Sequence, residues 1–462
     1  MNLPHSIVKQ VFIGLLLLSQ AALLQAHNGP ENARVLTDTE RGEIAAALPA
    51  ALQTPAIKPR KLLVMSRSMG YYHTSTPMGN AFFEQVQQKY GDYAFDFSDN
   101  QEDYRAEKLQ QYDALVFNNC SHLDRIITDS AVRQGILDFV QQGGGLMVIH
   151  AAANDGGRWP AYSEMIGFRF MGHPWVWNQE HSCLNEETDH PLTKHLGASS
   201  RIQDELFISS HPFFSRDKVR VLLSVDLSDL ETAGRLTDAK KRRHDQDYTL
   251  SHVRRFGEGR VFYTTFGHND AVYADTRVQT HYLGGLQYVA GDLVVEDLPI
   301  AFYDRLRAFN GPLFFEAKLK LIVMARQARS AEAKQTLVDL CSRLIEDEGA
   351  TDASRQAAIE ALSQVATPAS IQTVAGLLDD DVLSHAALMF LAQHADAATF
   401  MQLTKTTWSQ LDEQGRLNVI QAMAARGPAF AGALTNLAKQ GPTAQRIVAI
   451  QALGHCATKA QL

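Results

Sequence analysis

The sequence predicts an α/β domain built on a parallel sheet, followed by an all-α tail of stacked helical hairpins. Three observations carry this. Between residues 61 and 290 short apolar runs alternate with amphipathic stretches, the rhythm of strands covered by helices on both faces. Near Ile300 the strand signal all but stops, and Ala, Leu and Gln dominate from there on. Within that tail AAIEAL (357–362), HAALMFL (385–391), NVIQAM (418–423) and VAIQAL (448–453) recur roughly every 30 residues, the period of helical-hairpin repeats.

Taken in order, residues 1–26 read as a secretion signal. Lys9 supplies the charge, residues 11–24 the apolar run, and Gln25-Ala26 the end before His27. The run is about 14 residues, short of the roughly 20 that a spanning helix needs. The expectation is a periplasmic or secreted protein with no membrane span after cleavage. Residues 27–59, polar and Ala-rich with several prolines, read as a linker.

The α/β domain is expected over 60–298. LLVMS (62–66) is a first buried strand that empties into a loop carrying Gly70 and His73, and Phe82, Phe83, Val86 and Tyr90 mark one face of a helix. YAFDF (93–97) and DALVFNN (113–119) are the second and third strands. A helix over 130–140 opens at Thr128 or Asp129, Gly143, Gly144 and Gly145 punctuate its end, and GLMVIH (145–150) is a fourth strand delivering His150. Beyond Asn154 the rhythm becomes irregular: a short helix and turn over 159–170, a GHP loop at 172–174, and strands near 205–209 and 219–225. A hairpin (249–256 and 260–266) ends on Gly267-His268, and a helix over 280–290 closes the domain. Residues 299–462 form the helical repeat tail. The sequence stops just after a repeat's first helix, so its last apolar face is expected to lack a cap.

An apolar fraction of 45% and a charged fraction of 20% describe a globular protein. A net charge of -8 argues against a nucleic-acid partner. The basic run Lys240, Lys241, Arg242, Arg243 sits among polar and acidic residues and reads as a solvated loop. Cys120, Cys183, Cys341 and Cys456 make no paired metal spacing; buried free thiols are the expectation.

Histidines fall at segment ends: His73 after the first strand, His150 after the fourth, His173 in the GHP loop, His268 after the hairpin. In a parallel sheet the first, second and fourth share the edge where ligands bind, and Asp204-Glu205 adds carboxylates. Such a cluster can hold a divalent metal such as zinc or manganese, with His73, His150 and His268 as ligands, or supply an acid and a base near neutral pH. No nucleotide cofactor is expected.

Seven motifs occur in order: GYYH (70–73), GGGLMVIHAAAN (143–154), IGFRFMGHP (166–174), DHPLT (189–193), DELF (204–207), FGEGRVFYTTFGHN (256–269) and LGGLQYVAGD (283–292). Together, over about residues 60 to 295, they resemble the trehalose-utilisation, or ThuA-like, family; the tail resembles HEAT-type repeats. The first resemblance implies a class I glutamine amidotransferase-like, flavodoxin-like fold. It also implies a role in disaccharide breakdown in which sugars are handled as 3-keto derivatives. The chain departs from the family pattern at two places. Tyr71-Tyr72 stands where Phe-Arg is common, which removes a guanidinium, and Asn154 replaces an Asp and cannot act as a base. Amidotransferase folds usually present a cysteine after a central strand; here His150 is followed by Ala151, Ala152 and Ala153, so acyl transfer through a thioester is not expected.

The reading is an exported enzyme acting on a small sugar, a 3-keto-glycoside, by isomerase or lyase-like enolisation. A ketone acidifies the neighbouring C–H, so one base and one electrophile are needed. Glu205 or His150 is the expected base, and His73 and His268, alone or through a metal, stabilise the oxygen. Tyr72, Trp159 and Trp175 are candidates for a sugar-stacking wall, with Asn154 and His173 as further substrate contacts. The competing reading is a non-catalytic carbohydrate-binding or scaffolding protein whose helical tail docks a protein partner.

Overall fold

Successive side chains of a strand leave on opposite faces, and in the central strands of this protein both faces are buried. That is why their sequences are apolar without alternation. The computed structural model describes residues 34–237, 243–409 and 411–456 and divides into two compact units, Met1–Ile300 and Ala301–Leu462. The segment read as a secretion signal lies outside the described residues.

The first unit runs α1 (Asp38–Ala47), β1 (Arg60–Met65), α2 (Thr76–Tyr90), β2 (Tyr93–Phe97), β3 (Ala114–Asn118), α3 (Ser130–Gln141), β4 (Gly145–Ile149), α4 (Pro160–Ile166), β5 (Phe170–Trp175), β6 (Glu180–Asn185), β7 (Ser199–Gln203), β8 (Leu206–Ser209), β9 (Arg220–Val225), β10 (Thr249–Phe256), β11 (Gly259–Thr264) and α5 (Thr276–Ala290), with short helical turns between. Leu62, Val64, Val116, Met147 and Ile149 pack into one apolar cluster with Phe82 of α2 and Leu286 of α5. Leu63, Met65, Phe117, Leu146 and Val148 pack into another with Ile136 of α3 and Met165 of α4. The α3 helix is capped by Asp129, whose side chain accepts from the Ala131 N–H, and Gly143 takes φ +118° to turn the chain into β4.

Nine strands form one sheet in the order β2-β1-β3-β4-β11-β10-β9-β6-β7. From β2 to β11 neighbours run parallel; from β11 to β7 they run antiparallel. The sheet is therefore mixed, not parallel as expected. The turn between β10 and β11 reverses the chain, and a hairpin can only pair antiparallel. The GHP motif, expected as a loop, lies within β5, which pairs with β8 in a separate two-stranded sheet. Shifts of register on both sides of Gly172 let that strand carry Gly and Pro. The strands β6 and β7 were not foreseen, because both are polar and β7 lies at the sheet edge.

Residues 34–59 are part of this unit and not a linker. Thr37 and Glu40 form a reciprocal cap on α1, Ile44 and Leu48 are buried in the first apolar cluster, and the Ile57 N–H donates to Asp292 at 3.0 Å. Of the basic run, Lys240, Lys241 and Arg242 lie outside the described residues. Arg243, expected in solvent, is buried: it donates to the Ser209 carbonyl at 2.7 Å, pairs with Asp245 and covers the Phe214 ring. Cys120, Cys183 and Cys341 are free and buried; the Cys456 side chain lies outside the described residues.

Two core histidines make the first unit acid-sensitive. Burial pushes the His252 and His281 imidazoles down to about 3, against about 6.5 in an unfolded chain. Below about pH 6.5 the unfolded state therefore binds more protons than the fold, so stability falls as pH falls. The expected slope is about 1.4 kcal/mol per pH unit for each histidine. Denaturant titrations between pH 6 and 4 check this, and His281→Gln should flatten the slope by about one such contribution.

In the second unit the four recurring segments lie on helices Asp352–Leu362, Ser384–His394, Glu413–Ala425 and Thr443–Cys456. Each contacts the next, and further helices fill the intervals. Thr351, Thr367, Asp396 and Asp412 each cap a helix of this unit by accepting a backbone N–H group. Among the described residues no helix is long and apolar enough to cross a membrane.

Candidate active site

Four chain segments that follow strands deliver side chains to one cavity of about 480 Å³, a size usual for small-molecule sites. The loop after β1 brings Tyr71 and His73, the segment after β3 brings Ser121 and His122, the turn after β4 brings Ala151 and Asn154, and the segment after β11 brings His268. The smaller sheet adds His173 and Phe207, with Glu205 just before β8.

His150 lies behind the lining residues His73 and Glu205. It is fully buried and takes φ +49°, a left-handed conformation that costs a non-glycine residue energy. Its Nδ1 lies 2.5 Å from the Thr265 carbonyl oxygen. A carbonyl only accepts, so Nδ1 carries the proton and Nε2 presents its lone pair. Facing it, 3.2 Å away, is Nε2 of His73. Glu205 Oε2 stands 3.6 Å from His150 Nε2 and 3.4 Å from His268 Nδ1. Ligand atoms about 2.0–2.1 Å from a tetrahedral zinc ion lie about 3.3–3.4 Å from one another, and these three separations bracket that value. One atom from each of His73, His150, Glu205 and His268 lies within 4.8 Å of all the others. Glu205, expected as a base, thus joins the three histidines expected as ligands.

Electrostatics favour the same arrangement. Burial pushes the His150 imidazole down to about 3 and holds His73 well below its ordinary value, so both are neutral and able to donate lone pairs. Burial works to raise the Glu205 carboxyl, but hydrogen bonds from His173 and His268 outweigh it and hold the group below the usual range. Behind the cluster, the buried Asp204 carboxylate accepts from the N–H groups of Gly267, His268 and Asn269 at 2.6, 3.3 and 2.8 Å, which fixes the loop carrying His268.

His173 is 44% exposed, and its Nδ1 sits 3.0 Å from Glu205 Oε1. Asn154 lines the cavity and donates to Ser121 Oγ at 3.4 Å. The expected aromatic wall is made of other residues. Trp159 is buried against Tyr162, and Trp175 is buried with its indole N–H donating to the Thr232 carbonyl. Tyr72 is half-buried near Asp99 and Arg34, away from the cavity lining. The exposed rings at the mouth are Tyr71 and Trp177, which stack on His268 with centroids 6.2 and 6.3 Å away. Tyr71 and Tyr72 lie in a loop and Trp177 lies beyond the end of β5, where no regular alternation fixes direction, so the sequence showed the aromatic pairs but not which member points inward. His122 was missed although it follows β3 as His150 follows β4. No cysteine lines the cavity among the described residues.

Residues 61–289 match the ThuA family model, described as trehalose utilisation. Among solved structures, a ThuA-like protein from Bacteroides uniformis is 22% identical, with a TM-score of 0.41, over 51% of this chain and 93% of that one. A ThuA-like protein from Parabacteroides merdae is 20% identical, with a TM-score of 0.38, over 52% and 95%. A beta-galactosidase from Bacillus circulans is 12% identical, with a TM-score of 0.31, over 52% of this chain and 31% of its own. No curated protein matches the chain.

Proposed function

We propose that the ThuA-like domain is an exported enzyme that enolises a 3-keto-glycoside, with one divalent ion, zinc or manganese, held by His73, His150, His268 and Glu205. The observation that carries this is the set of four ligand atoms within 4.8 Å of one another, three of them (on His73, Glu205 and His268) on residues that line a cavity walled by exposed aromatic rings. The description of the matching family, trehalose utilisation, supports a glycoside as the substrate; its 3-keto form is part of the proposal. Rings such as Tyr71 and Trp177 suit the apolar face of a sugar.

When bound, the ion would polarise the ketone oxygen and stabilise the charge that develops there. The protein's own groups divide the remaining work. His150 Nε2 is closed off by His73 and Glu205 Oε2, so it cannot reach a carbon acid. Glu205 has one oxygen in the cluster and the other on His173. The base is therefore His173: Glu205 Oε1 accepts its Nδ1 proton and leaves Nε2 free to take a proton from carbon. This shifts the role expected of Glu205 or His150 onto a residue first read as a substrate contact. The helical unit is read as a HEAT-like module for a protein partner.

The test is metal analysis of the purified full chain together with exchange of the C2 proton of methyl 3-keto-glucoside in D₂O. The expected result is close to one equivalent of divalent metal and exchange that stops on chelation and returns with zinc or manganese. A chain that binds the sugar but neither holds metal nor exchanges the proton overturns the proposal. It would support the non-catalytic binding reading, which Asn154 in place of an Asp favours.

A further inference from the structure

We infer that His122, backed by Asp124, donates a proton to the glycosidic oxygen, so that the reaction in this cavity eliminates the aglycone and is not an isomerisation. This rests on the enolisation reading above. The ring lines the same cavity but stands outside the four-ligand cluster. It serves neither the metal nor the proton abstraction.

The position is built, not incidental. His122 adopts φ +59° and ψ +56°, a conformation unfavourable for its residue type, and its backbone N–H is held by the Asn154 carbonyl at 3.0 Å. Its ring occupies a slot between two glycines. A Cβ on Gly70 would lie 2.3 Å from His122 Cδ2, and one on Gly156 would lie 2.8 Å from His122 Nδ1 and 1.8 Å from Asp124 Oδ1. Any side chain at either place would displace the ring.

Behind the ring is a buried carboxylate. Asp124 is 1% exposed, and its Oδ1 lies 3.8 Å from His122 Nδ1. Neither atom has a hydrogen-bond partner among the described residues. Two orphaned, complementary atoms are closed by a small rotation of the imidazole, which would place the Nδ1 proton on Asp124 and turn Nε2 to the cavity. The remaining charged groups that bear on the ring are Arg125 and Asp155; Asp155 is itself paired with Arg169 at 3.1 Å, and Arg158 reaches Asp124 at 4.0 Å.

The chemistry balances without any further reagent. His173 takes the C2 proton, the C–H electron pair becomes the C1=C2 double bond, and the C1–O bond breaks with its pair going to the glycosidic oxygen. That oxygen takes the Nε2 proton of His122. The products are a 1,2-unsaturated 3-keto sugar and a free alcohol, and solvent returns the proton from His173 to His122. An isomerisation leaves the C1–O bond intact and has no use for an acid at that place.

The test uses the full chain and two substrates, methyl and 4-nitrophenyl 3-keto-glucoside, with release of the alcohol and C2 exchange in D₂O followed separately. Asn tolerates the left-handed backbone, so His122→Asn is the variant of choice, and its thermal melt should match wild type. Methanol release should fall by about 10²–10³-fold, nitrophenolate, which needs no proton, by less than about tenfold, and C2 exchange should stay near wild type. Asp124→Asn is a positioning variant and should move the alkaline limb of the methanol-release profile to lower pH. Equal slowing of both substrates, or unchanged methanol release, overturns the inference. Wild-type exchange without alcohol release overturns it and leaves enolisation standing; neither exchange nor alcohol release sinks the enolisation reading and this one with it.

Discussion

Replacing His150 by alanine is expected to empty the cluster and stop turnover. His150 supplies a neutral imidazole whose proton is fixed on the Thr265 carbonyl, and its Nε2 lies next to ligand atoms of both His73 and Glu205. Losing an outer partner of a metal ligand costs about 10–100-fold in affinity or activity, so losing the ligand should cost more, on the order of 10³-fold in C2 exchange. Metal content should fall below stoichiometry in the same preparation. The fold should survive, and a second substitution separates function from strain. At φ +49° glycine relieves a backbone conflict that alanine keeps, so His150→Gly should be more stable than His150→Ala by about 1 kcal/mol while being equally inactive. Thermal melts of the two variants, beside elemental analysis and exchange rates, decide it.

The largest loss of stability is expected from Arg216→Met. Arg216 is 7% exposed and holds two buried carboxylates at once, Glu186 and Asp247, the latter at 2.8 and 2.9 Å. Glu186 follows β6, Arg216 precedes β9 and Asp247 precedes β10, so the triad ties together the antiparallel half of the sheet. Removing the cation leaves two anions in a poorly solvated place, a change that costs about 3–5 kcal/mol when one buried partner is lost. Urea unfolding should show that drop. Replacing Glu186 and Asp247 by apolar residues of similar volume in the same variant should recover most of it, because the penalty lies in unpaired charge and not in lost attraction.

The parts of the fold that sequence revealed are those whose burial is two-sided or periodic. β1, β3 and β4 announce themselves because each of the consecutive apolar residues 62–65, 114–117 and 146–149 packs into one apolar cluster or the other. The β10–β11 hairpin does so through its glycine turn. What escaped was set by partners distant in the chain. β6 and β7 are polar strands stabilised by pairing, and GHP becomes a strand only because β8 lies beside it. The α1 helix was hidden by the polar residues and prolines around it, although its alanines and the Thr37–Glu40 cap were readable. In the site, the strand-end rule located His73, His150 and His268 and could equally have located His122. It could not tell Tyr71 from Tyr72 or Trp177 from Trp175, since a shift of one or two positions along an irregular segment exchanges wall for core. Nor could it place Glu205 within the cluster, which depends on hydrogen bonds that tie its neighbours Asp204 and Phe207 to the segment after β11.

That cluster draws on residues 73, 150, 205 and 268, each brought in by a different strand end. No short piece of the chain contains two of them, so no early local structure can assemble the site. Long loops must close before the first contact is made, which places it among the last events of folding. A growing polypeptide is therefore inert until residue 268 has joined the others, and any ion it captures can reward only the finished arrangement, never guide the path to it.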